Sequence, residues 1–240
     1  MRVLITGGAS GLGESITRRI AREPLNTVYF TYNESEASAK RIESEFPNVS
    51  SCKCDFKNKA ETDALSERLG GFDLDAIINN AYSGGFINAH FHKTSTSDFL
   101  TDFTNNIMPT VTLTQSAIKC FRKKKQGKII TVLTAALINK PPIGSSVYIA
   151  TKAYLQQLTK IWAVENAKFN ITSNSVSPAF MRTAMTSHMD ERVVEQIMEN
   201  SPLGKLLTTE EVAESIFLLL NAPAQINGVN LIINGAANVL

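Results

Sequence analysis

The feature that most constrains this 240-residue chain is an alternation that runs from end to end. Short apolar runs rich in β-branched residues occupy 2–6, 27–32, 49–54, 76–79, 128–134, 171–177 and 229–233. Stretches with helical spacing fall between them at 12–22, 35–46, 59–69, 103–124, 147–168 and 210–220. Such alternation builds βαβ units, in which each strand returns parallel to the last through a right-handed helical crossover and helices cover both sheet faces. The run 128–134 is mostly apolar, as a strand buried on both faces requires. No internal repeat, low-complexity tract or Pro/Gly linker divides the chain. The expectation is one α/β domain over 1–240, a doubly wound, seven-stranded parallel sheet. The segment 180–207 breaks the rhythm, is rich in Met, Thr and charge, and is expected to form a substrate lid.

Composition removes several function classes. A net charge of +2 is too small to argue for nucleic acid. No apolar stretch is long enough to span a membrane, and the opening run is too short for a signal-peptide core. Cys52, Cys54 and Cys120 make no disulfide framework, so a reducing, cytoplasmic location is expected. No second cysteine pair completes a metal site, and His90, His92 and His188 form no ligand set.

Thr6-Gly7-Gly8-Ala9-Ser10-Gly11-Leu12-Gly13 follows the first strand and opens the first helix. The spacing Gly7, Gly11, Gly13 is a variant of the dinucleotide fingerprint. Glycine permits the sharp turn, the close approach of backbone to a pyrophosphate, and tight packing of helix on strand. The free amides at the helix start attract phosphate. Gly7, Ser10, Gly11, Leu12 and Gly13 are therefore candidate cofactor contacts. The second strand ends Tyr32-Asn33-Glu34-Ser35. An acid there would accept from the NAD ribose, whereas a base would favour the NADP phosphate. Tyr32 is neither; Asn33 and Ser35 can bind a phosphate, and Glu34 counts slightly against it. The balance favours NADP, with NAD open. Asp55, past the third strand, either accepts from the adenine amino group or caps a turn, and the two readings weigh equally.

Downstream come Asn79-Asn80-Ala81 after the fourth strand, Asn106 in the fourth helix, Tyr148-x-x-x-Lys152 in the fifth, Asn174 in the sixth strand, then Pro178 and Thr183. In that order, and over essentially the whole chain, these residues resemble the short-chain dehydrogenase/reductase family. The resemblance implies a Rossmann-like fold and an NAD(P)-dependent oxidoreductase that moves a hydride between a nicotinamide and a carbonyl or secondary alcohol. It makes Asn79, Ala81, Pro178 and Thr183 cofactor contacts, Tyr148 the acid/base, and Lys152 a holder of the nicotinamide ribose. Four residues apart, Tyr148 and Lys152 share one helix face, and the ammonium is expected to lower the phenol pKa from about 10. Thr134 stands where the family carries a serine that holds the substrate oxygen; it keeps the hydroxyl, and Ser145 and Ser146 are fallback donors. Asn106 is expected to anchor a water between Lys152 and solvent. Tyr82, Ala179 and Ala236 stand where the family has glycine.

The tail, Pro202-Leu203-Gly204-Lys205, Glu210-Glu211-Val212-Ala213 and 228–235, is similar to 3-oxoacyl-[acyl-carrier-protein] reductases within the family, which implies a 3-oxoacyl thioester substrate. An alcohol or sugar dehydrogenase, and a non-catalytic NADP-binding sensor or partner subunit, are the other readings. The basic run Lys119, Arg122, Lys123, Lys124, Lys125, Lys128 fits an acidic acyl carrier protein docking beside the active-site entrance. It fits better a solvated helix end whose cations suit the dipole. Helices 103–124 and 147–168 carry apolar and small residues on more than one face; family members associate through them, so a homotetramer or homodimer is expected.

Overall fold

The structure, a computed structural model, describes residues 1–240 except Phe86, Asn139, Ala184, Met185, Ser187, His188 and Leu240. His188 and part of the expected 180–207 lid thus lie outside the described residues. The strands are β1 (Arg2–Ile5), β2 (Thr27–Tyr32), β3 (Val49–Lys53), β4 (Ala76–Asn79), β5 (Gly127–Val132), β6 (Ile171–Pro178) and β7 (Asn230–Ile233). They form one sheet, parallel at every pairing, in the order β3-β2-β1-β4-β5-β6-β7. The helices are α1 (Gly11–Ala21), α2 (Glu36–Glu45), α3 (Lys59–Phe72), α4 (Thr96–Asp102), α5 (Met108–Lys124), α6 (Ser146–Asn166), α7 (Glu191–Glu199) and α8 (Thr209–Asn221). This is the Rossmann-like arrangement expected. Among the described residues no helix is long and apolar enough to cross a membrane.

β1 shows why the sheet lies between two helix layers. Successive side chains point to opposite faces. Val3 and Ile5 pack with Ile16 and Ile20 of α1 and Ile216 and Leu220 of α8. Leu4, between them, packs with Leu65 and Leu69 of α3, Phe121 of α5 and Trp162 of α6. Burying each such side chain stabilises by about 1.5–3 kcal/mol, so a strand apolar at the three successive positions Val3, Leu4 and Ile5 is specified for the middle of three layers.

The chain steps outward from β1 to β2 and β3, then crosses back to β4 and outward again to β7. That reversal leaves a crevice beyond the carboxyl ends of β1 and β4, where ligands of such sheets bind.

Two helices escape the hydrophobic pattern. Ser95 opens α4 through a capping box with Asp98, each side chain accepting from the other's backbone N–H. α4 then passes through a five-residue π turn, Phe103–Ile107, directly into α5. Pro109, in the first turn of α5, has no N–H for the Asn105 carbonyl, and the widened turn falls where that bond is missing. The helix expected from 103 therefore starts at 96. Inside the expected lid, Asp190 caps α7 by accepting from the Arg192 amide.

Candidate active site

A cleft of about 1740 Å³ runs along the carboxyl edge of the sheet, from Tyr32, Asn33, Ser35 and Lys57 to Tyr148 and Lys152. Gly7, Ser10, Gly11, Leu12, Gly13, Asn33, Ala81, Tyr148, Lys152, Pro178 and Thr183 all line it. Met181, Val193 and Ile197 of the 180–207 segment line it too.

The glycine turn is built to bring backbone to the cleft. Gly7 (φ +68°) and Gly11 (φ +50°) adopt left-handed conformations. A Cβ on Gly13 would lie 1.9 Å from the Gly7 oxygen, so nothing larger fits. Asn80 Nδ2 donates to the carbonyls of Thr6 (2.9 Å) and Gly7 (3.2 Å), and Thr17 Oγ1 donates to those of Gly8 and Gly13. Ser10 makes no side-chain cap on α1, which leaves the first-turn amides open to phosphate oxygens. The residues present thus fit a dinucleotide. Thr183 folds over this turn, 3.4 Å from where a Gly11 Cβ would stand.

At the other end, the first turns of α6 carry Tyr148, half-buried, and Lys152, 4% exposed. Lys152 Nζ donates to the Val132 carbonyl at the end of β5 (2.9 Å) and lies 5.8 Å from the Tyr148 ring centre. Burial pushes the lysine down to about 8, partly opposed by the negative charge of Asp102. The expectation that the ammonium lowers the phenol pKa is corrected. Burial pushes Tyr148 up to about 12, a hydrogen bond with the Thr134 hydroxyl pulls it down, and Asp102 pushes it up. Thr134 is buried, bonded to Tyr148 and accepting from the Ala136 amide, although it is not among the cleft-lining residues. Of the fallback donors, Ser145 Oγ donates to the Pro142 carbonyl (2.6 Å), and Ser146 Oγ is buried without a partner.

Three other expected residues turn away from the cleft. Asn79 Nδ2 donates to Thr114 Oγ1 (3.0 Å) and ties β4 to α5; its neighbour Asn80 is the one that reaches the turn. Asp55 Oδ1 accepts from the Lys57 amide (2.9 Å), the turn role of its two readings. Asn106 is buried on the π turn with its side chain committed: Oδ1 accepts from the Ser83 amide (2.6 Å), and Nδ2 donates to the Ser83 and Asp102 carbonyls (both 3.1 Å). It holds the 82–83 loop. Asn174 ties β6 to the approach of β7 through the Ile226 carbonyl and the Val229 amide.

The basic run is also displaced. Lys124 Nζ donates to the Asp73 and Leu74 carbonyls and to Asp75 Oδ1 (2.6 Å), where β4 begins. Arg122 bonds Asn166 and stacks over Phe169. Within this chain the run lies at the amino edge of the sheet, opposite the cleft, because α5 runs antiparallel to the strands. It does not border the active-site entrance.

Residues that sequence reasoning passes over complete the reaction end. Tyr82 donates to the buried Asp102 carboxylate at 2.5 Å, and its ring meets that of Tyr148 edge-on, centres 5.2 Å apart. No local spacing links 82, 102 and 148; only the departure from glycine at Tyr82 marks the place.

The family model described as enoyl-(acyl carrier protein) reductase matches residues 7–238. The chain belongs to the short-chain dehydrogenase/reductase family. The 3-oxoacyl-[acyl-carrier-protein] reductase FabG of Rickettsia prowazekii is 31% identical to it over 97% of this chain and 94% of that protein. Carbonyl reductase family member 4 of Xenopus laevis is 29% identical over 96% of this chain and 95% of that protein. Among solved structures, ElxO with NADP bound superposes with a TM-score of 0.87 at 28% identity, covering 98% of each chain. This short-chain dehydrogenase/reductase is thus an oxidoreductase. Its departures from the family's glycines have a physical trace: Ala236 adopts φ +65°, a left-handed conformation that costs an alanine about 1 kcal/mol or more.

Proposed function

We propose that this chain reduces a carbonyl at the expense of a reduced nicotinamide dinucleotide, with a 3-oxoacyl thioester as substrate. One observation carries the reading: Tyr148 and Lys152 line the same cleft as the glycine turn, and the buried Thr134 hydroxyl is bonded to Tyr148. The bound nicotinamide would supply the hydride. Gly7, Ser10, Gly11, Leu12 and Gly13 would hold its pyrophosphate, Ala81, Pro178 and Thr183 would contact its other half, and Lys152 would orient the ribose. Tyr148 donates the proton to the substrate oxygen. Thr134, bonded to the phenol, holds the same oxygen. NADP is favoured over NAD because Asn33, Ser35 and Lys57 line the ribose end of the cleft, although Glu34 lines it too.

The names of the relatives divide over the substrate: 3-oxoacyl-[acyl-carrier-protein] reductases stand beside a carbonyl reductase at similar identity. The tail similarity favours the thioester. Exposed Tyr154, Ile161 and Val164 on α6 support association of copies through that helix. The test is oxidation of NADPH, followed by absorbance, with acetoacetyl thioesters against a panel of free ketones and sugars. Faster turnover of the thioester is expected; turnover of the free ketones alone transfers the assignment to a general carbonyl reductase.

A further inference from the structure

Behind the reaction end lies a second charged group that the proposed reaction does not use. Asp102, the last residue of α4, is 8% exposed. Its carboxylate accepts from the Tyr82 hydroxyl at 2.5 Å, from the Thr151 hydroxyl, and from Asn106 Nδ2 at 3.1 Å. Three donors from three segments therefore converge on one buried oxygen pair: the loop after β4, the π turn and α6. A carboxylate is not left in such a place without compensation. Thr151 is the residue before Lys152, and the Tyr82 ring stands 5.6 Å from the Lys152 ammonium while meeting Tyr148 edge-on. Tyr82 thus spans from the carboxylate to both residues of the proposed acid/base pair.

We propose that Asp102 is a positioning residue of this site, a clamped buried carboxylate that supplies the counter-charge for the Lys152 ammonium and fixes Tyr82 against Tyr148. The proposal rests on the assignment of Tyr148 and Lys152 as the acid/base pair. The titratable groups facing Lys152 are Tyr148 on its own helix, Tyr82 on the loop and Asp102 on α4. β5 offers the Val132 carbonyl, and its one charged residue, Lys128, is turned away to the Ala222 carbonyl. β6, the π turn and the turn at Ala135–Leu137 carry no titratable side chain. Burial drives Lys152 toward the neutral amine and Asp102 opposes it. Removing the carboxylate charge therefore leaves the lysine easier to deprotonate. A neutral lysine has no charge with which to hold its partners above neutral pH.

The test is an NMR titration of protein labelled with ¹³C at the lysine Cε, the Lys152 signal assigned by its loss in Lys152→Met. In Asp102→Asn the Lys152 titration is expected to move to lower pH by about one unit or more. In parallel, the alkaline limb of kcat/KM for acetoacetyl thioester reduction should move the same way. A purely structural role would lower activity equally at all pH and leave both midpoints in place; unchanged midpoints in a folded Asp102→Asn protein overturn the proposal. Should that variant fail to fold, Asp102→Ser, which removes the same charge and keeps a hydroxyl for Tyr82 and Thr151, is titrated in its place, and an unmoved Lys152 midpoint again overturns the proposal. If the lysine shifts as stated but the wild-type protein reduces no carbonyl, the functional assignment fails and the counter-charge stands.

Discussion

The two ends of the cleft are made of different materials. The phosphate end is backbone: two left-handed glycines, a third with no room for a Cβ, and carbonyls pinned by Asn80 and Thr17. The reaction end is side chains: a phenol, an ammonium and a hydroxyl whose protonation is set by burial and by one distant carboxylate. Backbone geometry is written locally, in which residue types can adopt which φ and ψ. Protonation is written by whatever the fold brings alongside. The first end should therefore fail through shape and the second through charge.

The sharpest separation comes from Tyr148→Phe. Loss of the proposed proton donor is expected to lower kcat/KM about 10²- to 10⁴-fold, with NADPH affinity, followed by fluorescence titration, nearly unchanged. Equal loss of both would mean that the two ends are not independent. Next comes Gly13→Ala. Its Cβ would meet the Gly7 carbonyl, so a drop in stability of about 1–3 kcal/mol is expected in denaturant unfolding, together with at least a tenfold weaker NADPH complex. Retention of wild-type NADPH affinity would remove the turn from its assigned role.

The smallest effect is one of pH. Lys152 falls from an ordinary 10.5 to about 8 on folding, so below pH 8 both folded and unfolded chains carry the proton and the full burial penalty applies. Between about 8 and 10.5 the unfolded chain holds the extra proton, and folding stability contributed by this group rises with pH. Lys152→Met has no such penalty, so the gap in melting temperature between it and the wild type should change in the wild type's favour by a few degrees from pH 8 to 10. Tyr148 works in the opposite sense, with stability lost as pH climbs from 10 toward about 12, so the comparison is read below pH 10. A gap independent of pH would show that Lys152 is not desolvated as described.

The same division explains what can be read from the chain alone. The strand–helix alternation, the glycine turn and the Tyr148–Lys152 spacing are short-range patterns, and all three are visible in the sequence. The choice between Asn79 and Asn80 is not, because adjacent residues leaving a strand point to opposite sides and the motif carries no phase. Asp102 is invisible for a different reason: two of its three partners lie 20 and 49 residues away and share no period with it. The direction of the Tyr148 shift is misjudged from sequence because helix spacing reports a neighbour and says nothing of how much water is excluded. The basic run is misplaced because a linear cluster does not say which edge of the sheet it reaches.

The π turn at Phe103–Ile107 carries one more consequence. Each residue of a regular helix advances the azimuth by about 100°, so a widened turn resets the angular phase between the residues on its amino side and those on its carboxyl side. Asp102 lies on one side of this offset and the core-facing side chains of α5 on the other. Losing a single residue from the segment would leave an unbroken rod with its packing face intact, yet swing the carboxylate about a quarter of a revolution out of register with Tyr82 and Thr151. The helix is in this sense a keyed shaft, whose length can be preserved while its alignment is lost.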